Sequence, residues 1–119
     1  MITSVEEMIN EYVESWNGNN LEDFKTAFAK CWATDATYTD PNFDLVTGVN
    51  GIADLAQYSL EKIPTRKFHV LTKPDYHHYV GRYTWTVDLP EETREGFDYF
   101  EFNEDYQITR IVSFFGPLN

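Results

Sequence analysis

The sequence predicts an α+β domain in which three helices pack on one face of a curved, mostly antiparallel sheet. Helical periodicity governs the first half, at Val5, Met8, Ile9, Tyr12, Val13 and Trp16 and again at Ile52, Leu55, Ala56, Ser59 and Ile63. From Phe68 onward the texture changes to β-branched and aromatic runs divided by turn residues. A length of 119 residues suits one core, so residues 1–119 are read as a single domain.

The first helix carries its six apolar positions on one face. Ser4 and Glu7 have capping-box spacing, and Asn17-Gly18-Asn19 supplies the stop. A second helix starts at Asn20 as cap and carries Leu21, Phe24, Phe28 and Trp32 inward, with Cys31 on the same helix. Ala36 to Asp40 is a short β-prone run closed by Pro41, and Asn42 to Thr47 reads as a loop into the third helix. Pro64 ends that helix, because proline lacks the amide donor and clashes with the preceding turn. Four strands follow: Phe68 to Thr72, Tyr79 to Val87, Phe97 to Asn103 and Ile108 to Phe115. Pro74-Asp75, Pro90-Glu91 and Asn103-Glu104-Asp105 mark the turns between them. Internal repeats, low-complexity tracts and linkers are missing from the sequence.

Nine Lys and Arg against twenty Asp and Glu give a net charge of −11. Such a surface repels phosphate backbones and anionic lipids, which argues against nucleic-acid and membrane partners. No apolar run approaches the ~20 residues of a membrane span. Met1-Ile2-Thr3-Ser4 lacks the basic-then-apolar pattern of a signal peptide, and a single cysteine fits a reducing compartment. The expected location is the cytoplasm. Aromatic residues, at 17%, exceed what a small core needs, so some should line a pocket or an interface.

Standard metal and nucleotide signatures are missing, and no metal or cofactor is expected. His77 and His78 lie where a hairpin should turn and read as an exposed pair, while His69 is either a cavity wall or a hydrogen-bonded structural histidine. Cys31 reads as a small buried residue. Most carboxylates fall on solvated helix faces or turns, but Asp40 ends a strand and Asp98 lies within one. Alternation puts Asp98, Phe100 and Phe102 on one face and Tyr99 and Glu101 on the other. Either that face is solvated, or Asp98 simply bonds a neighbouring hydroxyl, or its carboxyl is buried with a raised pKa. Tyr12, on the apolar stripe, is either core or a deliberately placed hydroxyl.

Taken together, Trp16-Asn17-Gly18-Asn19, Ala36-Thr37-Tyr38-Thr39-Asp40-Pro41, Thr47-Gly48 and the closing stretches Phe100 to Asp105 and Ile108 to Gly116 carry a resemblance. Over essentially its whole length the chain resembles the SnoaL-like branch of the nuclear-transport-factor-2-like (NTF2-like) superfamily. The resemblance implies a cystatin-like α+β roll, with the sheet forming a cone-like half-barrel under three helices around one pocket. It also implies a homodimer, for which alternation offers an outer sheet face of Tyr99, Arg110, Val112 and Phe114 if Asp98 and Ser113 point inward.

In its polar residues the chain is most similar to ketosteroid isomerase. That resemblance makes Asp40, in its Asp-Pro step, the general base, and makes Tyr12 and a protonated Asp98 the donors to an enolate oxygen. Trp32, Phe43, Tyr58, His69, Trp85, Phe100 and Phe115 are the expected pocket walls, more polar and aromatic than a steroid site. The reading is a cofactor-free protein that binds a small apolar or aromatic ligand and is a candidate for proton abstraction next to a carbonyl. The alternatives are a ligand-binding module without turnover, and a hydrolase or dehydratase using water held by Asp40 or Asp98. An epoxide-hydrolase version needs an Arg in the pocket, and Arg82 alternates off the Tyr83–Trp85 face.

Overall fold

The computed structural model describes residues 2–116. Helix α1 (Val5–Ser15) starts where the Ser4 hydroxyl accepts the Glu7 amide at 3.1 Å, and α2 (Leu21–Phe28) starts where the Asn20 side chain accepts the Asp23 amide at 2.9 Å. Met8, Ile9, Tyr12, Phe24 and Phe28 point inward from these two helices and are almost fully buried. The second helix is shorter than its sequence suggests. Cys31 lies in the turn after it, and Trp32 opens the first strand, still buried.

Strand β1 (Trp32–Asp40) is therefore longer than expected, and the stretch read as a loop is a second strand, β2 (Phe43–Thr47), paired antiparallel with β1. All but Val46 of its five residues are exposed, so no buried alternation betrayed it. Gly48, at φ +76°, turns the chain from β2 into α3 (Gly48–Lys62), a conformation that other residues enter only at a cost. Ile52, Ala53, Leu55 and Ala56 form its buried face, which lies against β1.

The remaining strands are β3 (Lys67–Val70), β4 (Asp75–His77), β5 (Val80–Asp88), β6 (Thr93–Phe102) and β7 (Ile108–Phe115). The sheet order is β2-β1-β7-β6-β5-β3, with β4 also paired to β5. Every pairing is antiparallel except β1 with β7. The sheet is curved and does not close. The register of β1 slips once against each of its neighbours, an irregularity that bends a strand and sharpens its twist. Between β4 and β5, His78 and Tyr79 both take positive φ in a two-residue hairpin turn. Asp75, expected in a turn, is instead the first residue of β4.

Strand phase agrees with alternation. Asp98, Phe100 and Phe102 are buried on the concave face, as is Ser113, whereas Tyr99 and Val112 are half-buried and Arg110 and Phe114 exposed on the convex one. No helix among the described residues is long and apolar enough to cross a membrane.

Candidate functional site

Between the helices and the concave face lies a cavity of about 600 Å³. Phe43, Tyr58 and Phe115 are 37%, 45% and 47% exposed and form its rim; Tyr12, Tyr38, Trp85, Asp98 and Ser113 lie deep within it. Asp98 sits in the middle of β6, directly opposite Tyr83 of β5 on one side and Ser113 of β7 on the other. The Tyr83 hydroxyl donates to Asp98 Oδ2 at 2.5 Å, and the Trp85 indole N–H donates to Oδ1 at 2.8 Å. Gly96 makes the second contact available: it pairs with Trp85 across the strands, and a Cβ there would run into the indole ring.

Removal from water disfavours a charged carboxyl, and burial pushes Asp98 up to about 6. The Ser113 side chain opposite it and the hydrogen bonds from Tyr83 and Trp85 hold it back, while the charge of Asp40 adds to the rise. The phenols of Tyr12, Tyr38 and Tyr83 are raised well above their ordinary value, by burial first and then by the charge of Asp98. All three are thus protonated donors at neutral pH. Trp16, whose ring meets Tyr12 edge-on with centroids 6.5 Å apart, eases the ionisation of that phenol in part.

Asp40 lines the same cavity from the β1–β2 corner. Its Oδ1 accepts the backbone amides of Asn42 and Phe43 at 2.8 and 3.0 Å, closing the turn after Pro41. Its Oδ2 accepts the Tyr38 hydroxyl at 2.8 Å. Tyr12, Asp40 and Asp98, widely spaced in the sequence, therefore meet at one cavity.

Of the expected walls, Phe43, Tyr58, Trp85 and Phe115 line the cavity, whereas Trp32, Phe100 and His69 do not. Trp32 and Phe100 are packed into the core, where Trp32 stacks on Tyr12 with ring centroids 5.6 Å apart. His69 alternates outward while its neighbour Phe68 faces in, and its imidazole meets exposed Asp88 at 2.9 Å. Arg82 also points away, pairing with Asp75 at 3.2 Å. No group of three His, Cys, Asp or Glu among the described residues is placed to hold a metal. Sequence reasoning passed over Tyr38, Tyr83 and Arg66 as site residues. The first two share the inward phase of Asp40 and Trp85, a signal alternation contains. Arg66 follows Pro64 in a connecting segment and gave none.

This arrangement, an open curved sheet wrapped around one cavity under three helices, has close counterparts among solved structures. A SnoaL-like family protein from Agrobacterium tumefaciens C58 superposes with a TM-score of 0.83 at 25% identity, covering 92% of this chain and 95% of that one. The chain is a member of the SnoaL-like/NTF2-like superfamily by its fold. A Kribbella flavida protein, described provisionally as a ketosteroid isomerase, matches at TM-score 0.71 and 17% identity, over 97% of this chain and 79% of that one. An NTF2-like protein of unknown function from Cytophaga hutchinsonii matches at 0.65 and 15%, over 98% and 94%. No family model matches this SnoaL-like chain, and no curated protein is similar enough to match. At these identities the likeness speaks for the cone and its cavity, and the chemistry has to be argued from the side chains.

Proposed function

We propose that the cavity binds a small, largely apolar ligand bearing a carbonyl and moves a proton on the carbon next to it, in the manner of ketosteroid isomerase. The observation that carries this reading is Asp98, a carboxyl 3% exposed among aromatic rings whose pKa is raised to about 6. A base titrating just below neutrality is mostly ionised at pH 7, yet its conjugate acid still gives the proton back. The carboxylate of Asp98 takes a proton from the carbon adjacent to the carbonyl, and the electron pair of that C–H bond passes to the carbonyl oxygen. The Tyr12 hydroxyl stabilises the resulting enolate oxygen by donating to it. Asp98 then returns the proton to the γ-carbon, two carbons beyond the one it left, so that the carbonyl re-forms and a β,γ double bond has moved to the α,β position.

In this reading Asp98 takes the role that the resemblance gives to Asp40. Two buried donors on Asp98 favour its anion, which suits a base better than a hydrogen-bond donor. Asp40 spends Oδ1 on two turn amides and Oδ2 on Tyr38, which suits a group that holds the corner and orients the Tyr38 ring.

An absorbance assay for movement of a β,γ double bond into conjugation, run over small and larger enones, tests both roles. Asp98→Asn is expected to lower kcat/KM by about a hundredfold or more, and Asp40→Asn by less than about tenfold. The reverse ranking returns the base to Asp40. A non-catalytic binding role is the second reading, favoured by the protein donors already occupying both carboxyls; ligand uptake without conversion across the panel would establish it.

A further inference from the structure

Arg66 is 6% exposed and lines the cavity. Its Nε donates to the Ser59 hydroxyl at 3.0 Å and its Nη2 donates to the Ala56 carbonyl at 3.2 Å, both neutral acceptors. Among the described residues no carboxylate oxygen lies within 4.0 Å of it. A guanidinium carries five N–H donors, so two bonds leave most of the fork unspent. Burying a cation without a counter-charge is costly, and proteins ordinarily pair such a group. Here the sequence had ample means, with twenty Asp and Glu against nine Lys and Arg, and placed none of the twenty beside it.

Its surroundings point the same way. Lys62 and Arg94 also line the cavity, so three of the nine cationic side chains of a strongly acidic protein converge on one pocket. Lys62 lies over the Tyr58 ring at 5.3 Å, and Arg94 is already paired with Glu92. Arg66 is the deepest of the three. The guanidinium stacks over Phe68 at 5.4 Å, Phe68 meets Trp85 with centroids 5.8 Å apart, and Trp85 reaches Asp98. A cation and a carboxyl are thus joined by two aromatic rings along one wall.

We infer that the ligand is an amphipathic organic anion, an apolar body whose carboxylate is gripped by Arg66 while its far end lies across Phe68 and Trp85 toward Asp98. Combined with the proposed chemistry, on which this substrate class rests, the natural substrate is an unsaturated keto acid. The anion supplies the counter-charge missing from Arg66, and the planar fork offers a carboxylate two parallel bonds.

Binding of 1-naphthylacetate and of its neutral amide, followed by tryptophan fluorescence at constant ionic strength, tests the grip without requiring turnover. The wild type is expected to favour the carboxylate by about tenfold or more, the usual weight of a charge-assisted hydrogen bond. Arg66→Met is expected to erase that preference while holding the amide as before, and Arg66→Lys, which keeps the charge but not the fork, to retain part of it. Lys62→Gln and Arg94→Gln, which remove exposed charges at the same cavity, are expected to reduce it only in part. Equal binding of acid and amide by the wild type overturns the inference, as does a preference that survives in Arg66→Met or disappears with Lys62 or Arg94. Should the Met variant not fold, the wild-type pair and the Lys variant still decide. Turnover of neutral enones without any carboxylate preference removes this inference and keeps the isomerase reading; carboxylate preference without turnover does the opposite.

Discussion

Two places in the chain each deliver a carboxylate to the same cavity, and they do so by opposite means. At the β1–β2 corner, Asp40 is half-buried and is used by the backbone around it, its Oδ1 closing the turn through two amides. In the middle of β6 the backbone of Asp98 is consumed by the sheet ladder on both sides, and its side chain is met only by other side chains. The corner spends its carboxylate on local structure, while the strand centre isolates one in a place where ionisation is expensive. What an aspartate can do is thus set less by its own chemistry than by whether neighbouring amides have already claimed it.

The largest effect that would break this contrast is on stability. Asp98 holds its proton to about pH 6 in the folded chain and to about pH 4 once unfolded. Between those values the folded state binds more protons, so this group's contribution to stability is greatest below about pH 4 and is lost as pH rises through about 6. Asp98→Asn has no such loss. Its stability relative to wild type should therefore rise by about 3 kcal/mol between pH 4 and pH 7 in urea melts. A constant difference would show that Asp98 is not an isolated carboxyl.

A smaller effect sharpens the contrast. Trp85→Phe removes one of the donors that favour the Asp98 anion, so the carboxyl should titrate about one unit higher than at present, read by carbon NMR of labelled aspartate side chains. Titration at an unchanged pH would mean that the indole bond does not favour the ionised form. Smallest of the three is Asp40→Ala, which strips the turn of its acceptor and should cost about 1 kcal/mol, with Asp40→Asn recovering most of it because Oδ1 is retained. A loss equally large in both variants would tie the cost to charge instead of to the turn.

The elements that were legible are those whose signal is local. α1 and its Ser4 cap follow from a three- and four-residue rhythm, and the inward phase of Asp98, Phe100 and Phe102 follows from counting by twos. Partnership was not legible. That Tyr83 stands opposite Asp98 is a fact of β5–β6 register, fixed by pairing across residues fifteen apart. β2 escaped because an edge strand with one exposed face after another reads as loop, and Trp32 was assigned to a helix because its spacing from Phe28 is the same on a helical wheel. His69 fell to an ambiguity of one residue: on β3 either Phe68 or His69 faces in, and the cavity took the phenylalanine.

The single parallel pairing, β1 with β7, has a consequence for how the protein comes to be made. It sets Tyr38 beside Ile111 and Thr39 beside Val112, partners that emerge from the ribosome more than seventy residues apart. Until β7 docks, the β1–β2 hairpin with Asp40 has no strand joining it to the half of the sheet that carries Asp98. Such long-range closure is slow compared with helix formation. A nascent chain thus holds the residues of all three helices before it has a cavity for them to roof.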